Sequence, residues 1–186
     1  MAGMNEAGGK AAPEVVQGVV QGVVQGAESG GSVERVRQAL LAAGHPDTIR
    51  GFPEGTRSAT EAAAAVGCDV AQIAKSIVFR AGERPVLVIA SGANRVDPAK
   101  VEAATGLRIE PAKGRWVREV TGFAIGGVSP VGHLTPPLVL LDEDLFRLPR
   151  LWAAAGSPSH VFETGAEALL RLSGGRRAMV REEAPA

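Results

Sequence analysis

The chain has 186 residues, which is about the length of one domain and is enough to bury a hydrophobic core. Its 20 basic residues balance 20 acidic residues, which excludes a protein that coats nucleic acid over its whole surface and confines any RNA contact to a local patch. A single cysteine excludes an internal disulfide, and three separated histidines do not favour a zinc site, so we expect no metal or other cofactor. No apolar run reaches the roughly 18 residues of a membrane span, and we therefore expect a cytoplasmic protein.

Residues 1–31 differ in composition from the rest of the chain. Residues 15–26 repeat Val-Val-Gln-Gly three times, and a glycine at every fourth position costs a helix about 1 kcal/mol each relative to alanine. We interpret this segment as a poorly ordered tail, with a partner-binding arm as the alternative. The folded domain is expected to occupy residues 32–181, and residues 182–186 are expected to form a C-terminal tail.

The first part of the domain carries helix start and stop signals. Ser32 is a suitable N-cap for a helix that stops at Gly44. A short strand is expected over 45–52, and the capping-box pattern at 58–61 opens an alanine-rich helix that ends at Gly67. Asp69 can then cap a short helix over 70–74. The apolar face of the first helix is predicted to hold Val33, Val36, Leu40 and Leu41.

A β-hairpin is predicted in the middle of the chain. Residues 75–80 form its first strand, 81–84 its turn and 85–90 its second strand. The second strand is apolar throughout, which indicates burial on both faces of a sheet. Asp97 and Pro98 form the N-cap and first position of a helix that stops near Gly106.

The second half mixes short strands and helices without a strict βαβ rhythm. We therefore expect an α+β fold whose mixed sheet curls into a partial barrel flanked by helices. The expected elements are a strand at 107–110, a helix at 113–120, a strand at 138–142, an irregular or helical segment at 145–155, a strand at 161–164, a helix at 166–172 and a closing strand at 177–180.

The glycine-rich stretch from Thr121 to His133 contains four glycines and no charged side chain. Glycine allows backbone conformations that a β-carbon forbids and lets another group approach the main chain. Recognition here would have to use main-chain N–H and C=O groups. The alternative is a surface loop or a bulged strand.

Other candidate residues also have ordinary structural interpretations. Lys75 stands alone among apolar residues, so it either marks a strand edge and extends to water or is itself a cation held at the mouth of a cleft for a phosphate or a carbonyl. His160 is either a satisfied histidine at a strand start or part of that cleft. Asp142 is a turn carboxylate or a partner for a substrate ammonium group. Cys68 fits a small buried hydrophobic residue better than a nucleophile.

Several motifs in one order resemble the YbaK family, the free-standing relatives of the editing domain inserted in bacterial prolyl-tRNA synthetase. The resemblance spans about residues 32–181. Its motifs are A-Q-I-A-K-S-I-V-F (71–79), G-A-N-R-V-D (92–97), T-G-F-A-I-G-G-V-S-P-V-G-H (121–133), L-D (141–142) and A-G-S-P-S-H (155–160).

This resemblance implies hydrolysis of the ester that joins a wrong amino acid to tRNA. Lys75 occupies the place of the family's pocket lysine. Ser76 follows it, at a position where relatives vary among small polar residues, which implies that Ser76 helps to choose the substrate. The family's G-x-x-x-P loop matches 126–130, which implies that Gly126, Gly127, Ser129 and Pro130 hold the ester carbonyl and the terminal adenosine. A glycine and histidine turn matches Gly156 and His160. The resemblance implies no protein nucleophile, and a water positioned with help from the terminal ribose hydroxyl attacks instead.

The expected substrate is tRNA-Pro that carries alanine, serine, threonine or cysteine. A proline pocket rejects amino acids of similar or smaller size only weakly, because one methylene changes the binding free energy by only about 1–3 kcal/mol. A second, smaller pocket that hydrolyses the wrong products it admits corrects these errors. The 3′ CCA end and the acceptor stem would bind the protein, and prolyl-tRNA synthetase is a possible partner, whereas DNA and membranes are not expected.

The alternatives are a non-catalytic binding module and a hydrolase of other small acyl esters. Candidate contacts to the acceptor stem are Lys100, Lys113, Arg115 and Arg118.

Overall fold

The structure is a computed structural model, and it describes residues 31–183. The predicted tails at 1–30 and 184–186 lie outside the described residues. The helices are α1 (Gly31–Ala42), α2 (Ala59–Val66), α3 (Pro98–Thr105), α4 (Gly114–Thr121) and α5 (Ala166–Ser173), with 3-10 turns at Val70–Gln72 and Glu143–Arg147. The strands are β1 (Ile49–Gly51), β2 (Ile73–Ala81), β3 (Arg84–Ser91), β4 (Glu110–Pro111), β5 (Leu138–Asp142), β6 (Leu151–Ala154), β7 (His160–Thr164) and β8 (Arg176–Ala178).

The strands form one mixed sheet in the order β1-β7-β6-β2-β3-β5-β8, and β4 pairs with β2 beside this path. The pairs β2–β6, β3–β5 and β5–β8 are parallel, and the other pairs are antiparallel. Helices cover the sheet, so the predicted α+β fold with a mixed sheet is confirmed.

The two faces of β3 pack against different helices, because its side chains alternate between the faces. Leu87 and Ile89 join the core that contains residues of α1, α4 and α5. Val86 and Val88 join a second core with Val101 of α3. The predicted burial of this strand on both faces is confirmed, since every residue of β3 after Arg84 is buried.

An opening along one edge of β2 positions the site. On this edge β6 pairs only with Ile73 and Ala74, and β4 pairs only with Phe79 and Arg80. Residues 75–78 between these two pairings have no strand partner on that side. At about 3.3 Å per residue, the distance from Ala74 to Phe79 is about 17 Å, which leaves room for a ligand between the two short strands.

Local signals in the sequence are confirmed where the chain caps a helix or turns. Ser58 accepts a hydrogen bond from the N–H of Glu61 in a complete capping box, and α2 ends at Gly67 in the left-handed conformation, with φ of 73°. Asp97 caps α3 through the N–H of Ala99. The β2–β3 hairpin turns at Gly82 and Glu83, as predicted.

Other elements differ from the prediction. The segment predicted as irregular or helical at 145–155 contains β6, and the strand predicted at 107–110 is only Glu110–Pro111. The chain turns into β2 already at Ile73, so the short helix predicted over 70–74 ends at Gln72. Leu41 is 47% exposed and does not belong to the buried face of α1. These segments are short, and their conformation depends on pairing with distant strands.

Candidate functional site

A cavity of about 250 Å³ opens at the unpaired edge of β2. We name it the α2 cavity, because Ala59 and Ala62 of α2 form part of its wall. Lys75 and Ser76 from β2 and Gly126 from the glycine-rich stretch line it as well. The sequence therefore identified several of its residues. It missed the wall formed by Thr56, Arg57, Ile73, Trp152, Ala153 and Val161.

A second cavity of about 300 Å³ lies on the β4 side of the same opening. We name it the α4 cavity, because Val117 of α4 contributes to its wall. Its walls are apolar apart from Ser76. The two cavities share the wall residues Ser76, Ile77, Ile125, Gly126 and Val128.

The hydroxyl of Ser76 lies in this shared wall. Its Oγ is buried and has no hydrogen-bond partner among the residues that the structure describes. A buried polar atom without a partner costs free energy, and a bound ligand would supply the missing bond. Among the residues that both cavities share, Ser76 thus carries the side-chain polar atom that lacks a partner in the described part of the chain.

The ammonium group of Lys75 reaches the turn that follows β3. Its Nζ donates to the carbonyl of Asn94 and, at 3.5 Å, to that of Gly92. Burial lowers the pKa of Lys75 below its ordinary value, Asp142 opposes this shift and Arg95 adds to it. No carboxylate of the described residues lies within 4 Å of this ammonium group. The Nζ of Lys75 is therefore held by two carbonyl dipoles, and not by a carboxylate, beside the α2 cavity.

Asp142 accepts hydrogen bonds from the same turn, the one that follows β3. It is 1% exposed, and its carboxylate accepts hydrogen bonds from the N–H of Ser91 (3.2 Å), the side-chain amide of Asn94 (2.8 Å) and the N–H of Asp144 (3.1 Å). Asp142 lines neither cavity. It is connected to Lys75 through Asn94, which donates to Asp142 and accepts from Lys75.

The glycine-rich stretch presents only part of its G-x-x-x-P loop to the cavities. Gly126 and Val128 line them, whereas Ser129 and Pro130 are buried behind the wall. Ser129 Oγ accepts a hydrogen bond from the N–H of Val131. Gly127 lies against a neighbouring loop, since a β-carbon there would be 2.6 Å from backbone atoms of Ser157.

Arg35 of α1 holds both ends of the glycine-rich stretch. Its Nε donates to the carbonyl of Gly132 (2.7 Å) and its Nη2 to that of Gly122 (3.0 Å). The guanidinium also lies over the ring of Phe123, 4.8 Å from its centroid. Sequence analysis missed Arg35, because nothing in its local pattern distinguishes it from other helical arginines.

His133 closes the stretch and is mostly buried. Its Nε2 donates to the carbonyl of Ser129 at 2.6 Å, so in the neutral imidazole Nδ1 carries no proton, and Nδ1 has no partner in the described part of the chain. Burial lowers the pKa of His133, the bond to Ser129 opposes this shift and the charge of Arg35 adds to it. The fold therefore favours the neutral imidazole.

We expect the free energy of unfolding to fall as the pH is lowered, because His133 binds a proton more readily in the unfolded chain. The unfolded imidazole titrates near pH 6.5, so this loss begins near that pH and stops below the lowered pKa of the folded state. Urea denaturation between pH 8 and pH 4.5 measures it. Replacing His133 by Gln should flatten the curve, and an unchanged slope in that variant would exclude His133 as the source.

His160 and Gly156 belong to a turn that packs behind the cavity wall. The Nδ1 of His160 is 2.7 Å from Ser157 Oγ, and the ring lies over Gly51, where a β-carbon would be 3.1 Å from Nε2. A β-carbon at Gly156 would lie 2.6 Å from the carbonyl oxygen of Ser32. Neither His160 nor Gly156 lines the α2 or the α4 cavity, but Ser157 of their turn packs against Gly127 of the glycine-rich stretch.

The structure divides the predicted acceptor-stem residues between two faces of the sheet. Lys100 lies on α3, where its Nζ donates to the carbonyl of Arg181. Arg115 and Arg118 lie on α4, which packs on the other face, and Lys113 precedes that helix. None of the four lines the α2 or the α4 cavity.

The α2 cavity lacks the groups of an activated protein nucleophile. No Cys, His, Asp or Glu among the described residues lines it, and its hydroxyls are Thr56, Ser58 and Ser76. Thr56 donates to a carbonyl, and Ser58 caps α2. Cys68 lies outside this cavity, and burial raises the pKa of its thiol, which disfavours the reactive thiolate.

The described residues also provide no group of three or more His, Cys, Asp and Glu side chains placed to hold a metal ion. Within residues 31–183, no helix has the length and apolar character needed to cross a membrane.

Known proteins share this sequence and fold. The protein YwhH of Bacillus subtilis (strain 168), which is uncharacterized, is 29% identical over 143 residues, covering 76% of this chain and 91% of YwhH. The proline–tRNA ligase of Lactobacillus helveticus (strain DPC 4571) is 27% identical over 130 residues, which are 63% of this chain but only 23% of that enzyme.

A crystal structure described as that of a candidate trans-editing enzyme for prolyl-tRNA synthetase superposes with a TM-score of 0.78 and 44% identity. The match covers 82% of this chain and 98% of that structure. The structure of the hypothetical protein APE2540, at 22% identity and a TM-score of 0.71, shares the fold. The profile of the aminoacyl-tRNA editing domain matches residues 53–172, so the chain belongs to the aminoacyl-tRNA editing domain (YbaK) family.

Proposed function

We propose that this protein is a trans-editing deacylase that hydrolyses the ester of a misacylated tRNA. The substrate would be tRNA-Pro that carries a small wrong amino acid, with alanine, serine, threonine and cysteine as the candidates. The observation that carries the proposal is the α2 cavity, which combines the Lys75 side chain and part of the glycine-rich stretch with no activated nucleophile among the described residues. Membership of the editing-domain family supports the reaction class.

The size and walls of the α2 cavity favour a small amino acid. Its volume of about 250 Å³ is below the range of about 300–1,000 Å³ that is usual for drug-sized ligands. Ala59 and Ala62 provide a short apolar wall from α2.

Water would be the nucleophile in the proposed reaction. Its oxygen attacks the carbonyl carbon of the ester, the bond from that carbon to the ribose oxygen breaks, and the released ribose oxygen takes up a proton from the water. The products are the free amino acid and an uncharged tRNA. The ribose hydroxyl beside the ester is the proposed group that orients this water.

The protein would contribute charge and position. The Lys75 ammonium stabilises the negative charge that develops on the carbonyl oxygen or on the 3′ end. The main chain at Gly126 holds the carbonyl, since the N–H of Gly127 is already bound to Ala124 (2.9 Å). His160 and Gly156 would act through the turn that presses on this loop.

The experiment that tests the proposal is hydrolysis of tRNA-Pro charged in turn with alanine, serine, threonine, cysteine and proline. EDTA is present throughout, and buffer without protein gives the spontaneous rate. Loss of one or two wrong amino acids with Pro-tRNA spared supports the proposal and names the substrate. Tight binding of these tRNAs without hydrolysis would instead identify a binding module, and turnover of small esters without tRNA would identify a general esterase.

We expect replacement of Ser76 by Ala to change the deacylation rate without lowering the free energy of unfolding. Because Ser76 Oγ has no partner among the described residues, its removal should leave the free energy of unfolding unchanged or slightly higher. Removal of the matched hydroxyl of Ser129 should cost about 1 kcal/mol, since its Oγ accepts a backbone hydrogen bond in the core. Urea denaturation and deacylation rates of both variants check this. A Ser76 variant that is as unstable as the Ser129 variant would contradict the assignment.

A further inference from the structure

The turn that follows β3 carries both acceptors of the Lys75 ammonium group, because Nζ donates to the carbonyls of Gly92 and Asn94. The position of this ammonium group therefore depends on the conformation of the turn. Main-chain bonds fix the start of the turn, since the N–H of Gly92 donates to the carbonyl of Ile73 (2.7 Å) and the N–H of Asn94 to that of Ser91 (2.9 Å). The rest of the turn is held by side chains and by the end of the described chain.

The side-chain amide of Asn94 lies between two carboxylates at the end of β5. Its Nδ2 donates to Oδ2 of Asp142 (2.8 Å) and to Oδ2 of Asp144 (2.9 Å). An amide nitrogen has two hydrogens, so both are used, and the amide oxygen in this place would face two further acceptors. Asp142 is buried, and a buried carboxylate needs donors around it. Asn94 therefore ties the turn to β5 and satisfies both carboxylates.

The segment after β8 holds the same arrangement from the other side. Arg181 donates from Nη1 to Oδ2 of Asp144 at 3.0 Å, and it forms an antiparallel bridge with Val96. The N–H of Glu182 donates to the carbonyl of Arg95 at 2.8 Å. The turn that carries the acceptors of the ammonium group is thus anchored on β5 and on the C-terminal segment, and the Asn94 amide is the link between the turn and β5.

This arrangement keeps the two carboxylates away from the Lys75 ammonium group. Burial lowers the pKa of Lys75, Asp142 opposes this shift and Arg95 adds to it, yet no carboxylate of the described residues forms an ion pair with Nζ. An ion pair would compensate the charge that a substrate could otherwise use. Because the neutral amide of Asn94 serves Asp142 and Asp144, neither carboxylate needs Lys75 as its donor.

We propose that Asn94 is a positioning residue for Lys75. Its amide holds the turn whose carbonyls bind the ammonium group, and it gives Asp142 and Asp144 the donor that they would otherwise find in Lys75. Asn94 lines neither cavity, so it acts only through Lys75, which does line the α2 cavity. The inference rests on the proposed function, in which Lys75 stabilises the charge that develops during deacylation.

A double-mutant cycle tests this coupling. Asn94→Ala should lower kcat/KM for the misacylated tRNA at least fivefold in the wild-type chain, mainly through kcat. In the Lys75→Met variant the same change should cost less than twofold, because the group that Asn94 positions is already absent. Ser173→Ala removes a hydroxyl that also makes two hydrogen bonds but lines neither cavity, and its rate should stay within twofold of wild type. Equal losses from Asn94→Ala in both backgrounds would overturn the inference.

The pKa of Lys75 provides a second test, which needs no tRNA. Asn94→Ala adds no charge, but it leaves two carboxylates without their donor, so the pKa of Lys75 should rise as one of them takes the ammonium group as its partner. NMR of protein labelled with ¹³C at lysine Cε measures this titration. The chain has four lysines, and the signal that is missing from Lys75→Met belongs to Lys75.

Asn94→Ser keeps a hydroxyl that can serve one carboxylate, so the pKa of Lys75 should rise less in this variant than in Asn94→Ala. The serine variant replaces Asn94→Ala if urea denaturation shows that the alanine variant does not fold. An unchanged pKa of Lys75 in a folded Asn94 variant would overturn the inference.

The two proposals fail separately because the titration requires no turnover. A raised pKa of Lys75 in the Asn94 variants, together with no deacylation of any charged tRNA, would support the positioning role and reject the deacylase. Deacylation by the wild-type protein, together with an unchanged pKa and equal losses in both backgrounds, would support the deacylase and reject the positioning role.

Discussion

Replacement of Lys75 by Met is expected to lower kcat/KM for the misacylated tRNA at least tenfold, which corresponds to about 1.4 kcal/mol of transition-state stabilisation. The Lys75 ammonium is the cation held beside the α2 cavity, and methionine keeps the apolar stem while it removes the charge. The domain should remain folded. Burial already lowers the pKa of Lys75, so removing its charge also removes a desolvation penalty.

Arg108→Met is the matched control, since Arg108 lines neither cavity and its side chain is 97% exposed at the surface, 3.8 Å from Glu102. Deacylation rates and urea denaturation of both variants are measured together. If the Lys75 variant turns over at the wild-type rate, Lys75 has no part in the mechanism. If both rates fall equally, the effect comes from general charge and not from the cavity.

Replacement of Gly127 by Ala is expected to have the largest effect on both stability and activity. The added β-carbon would lie 2.6 Å from the Cα and carbonyl carbon of Ser157, and these backbone atoms cannot rotate away as a side chain can. Separation of the two loops would shift Gly126 in the wall of both cavities. We expect a loss of about 3 kcal/mol in the free energy of unfolding, at the upper end of the effects of overpacking, and little remaining deacylation.

Gly165→Ala provides the matched comparison, because an added β-carbon there meets nothing within 4 Å. Gly165 is the N-cap of α5, so the expected cost is only that of a weaker cap, about 1 kcal/mol or less. Thermal and urea denaturation compare the variants. A Gly127 variant as stable as the Gly165 variant would mean that the contact between the loops is not tight in solution.

The elements that the sequence predicted well are those with local causes. The capping box of α2 and the Asp97 cap of α3 are defined by residues within four positions of one another. β3 was recognised because an unbroken apolar run is required wherever both faces of a strand are covered. In each case the physical cause lies inside the segment.

The missed features depend on residues far apart in the chain. β6 is four residues long, and its parallel pairing with β2 joins residues almost 80 positions apart. The contacts from Arg35 to the glycine-rich stretch span 87 and 97 positions. The resemblance to the YbaK family pointed to Lys75 and Gly126, and both residues line the α2 cavity. It carried no information on the buried bonds of Asp142, which require the folded turn.

The position of Arg35 affects how the domain can be divided for study. A fragment cut at the limits of the family match, residues 53–172, would retain every residue that lines the two cavities. It would lose α1, and with it the guanidinium that joins the two ends of the glycine-rich stretch. The boundary that a sequence profile assigns is therefore narrower than the unit that keeps the site in shape, and an expression fragment should begin before Gly31.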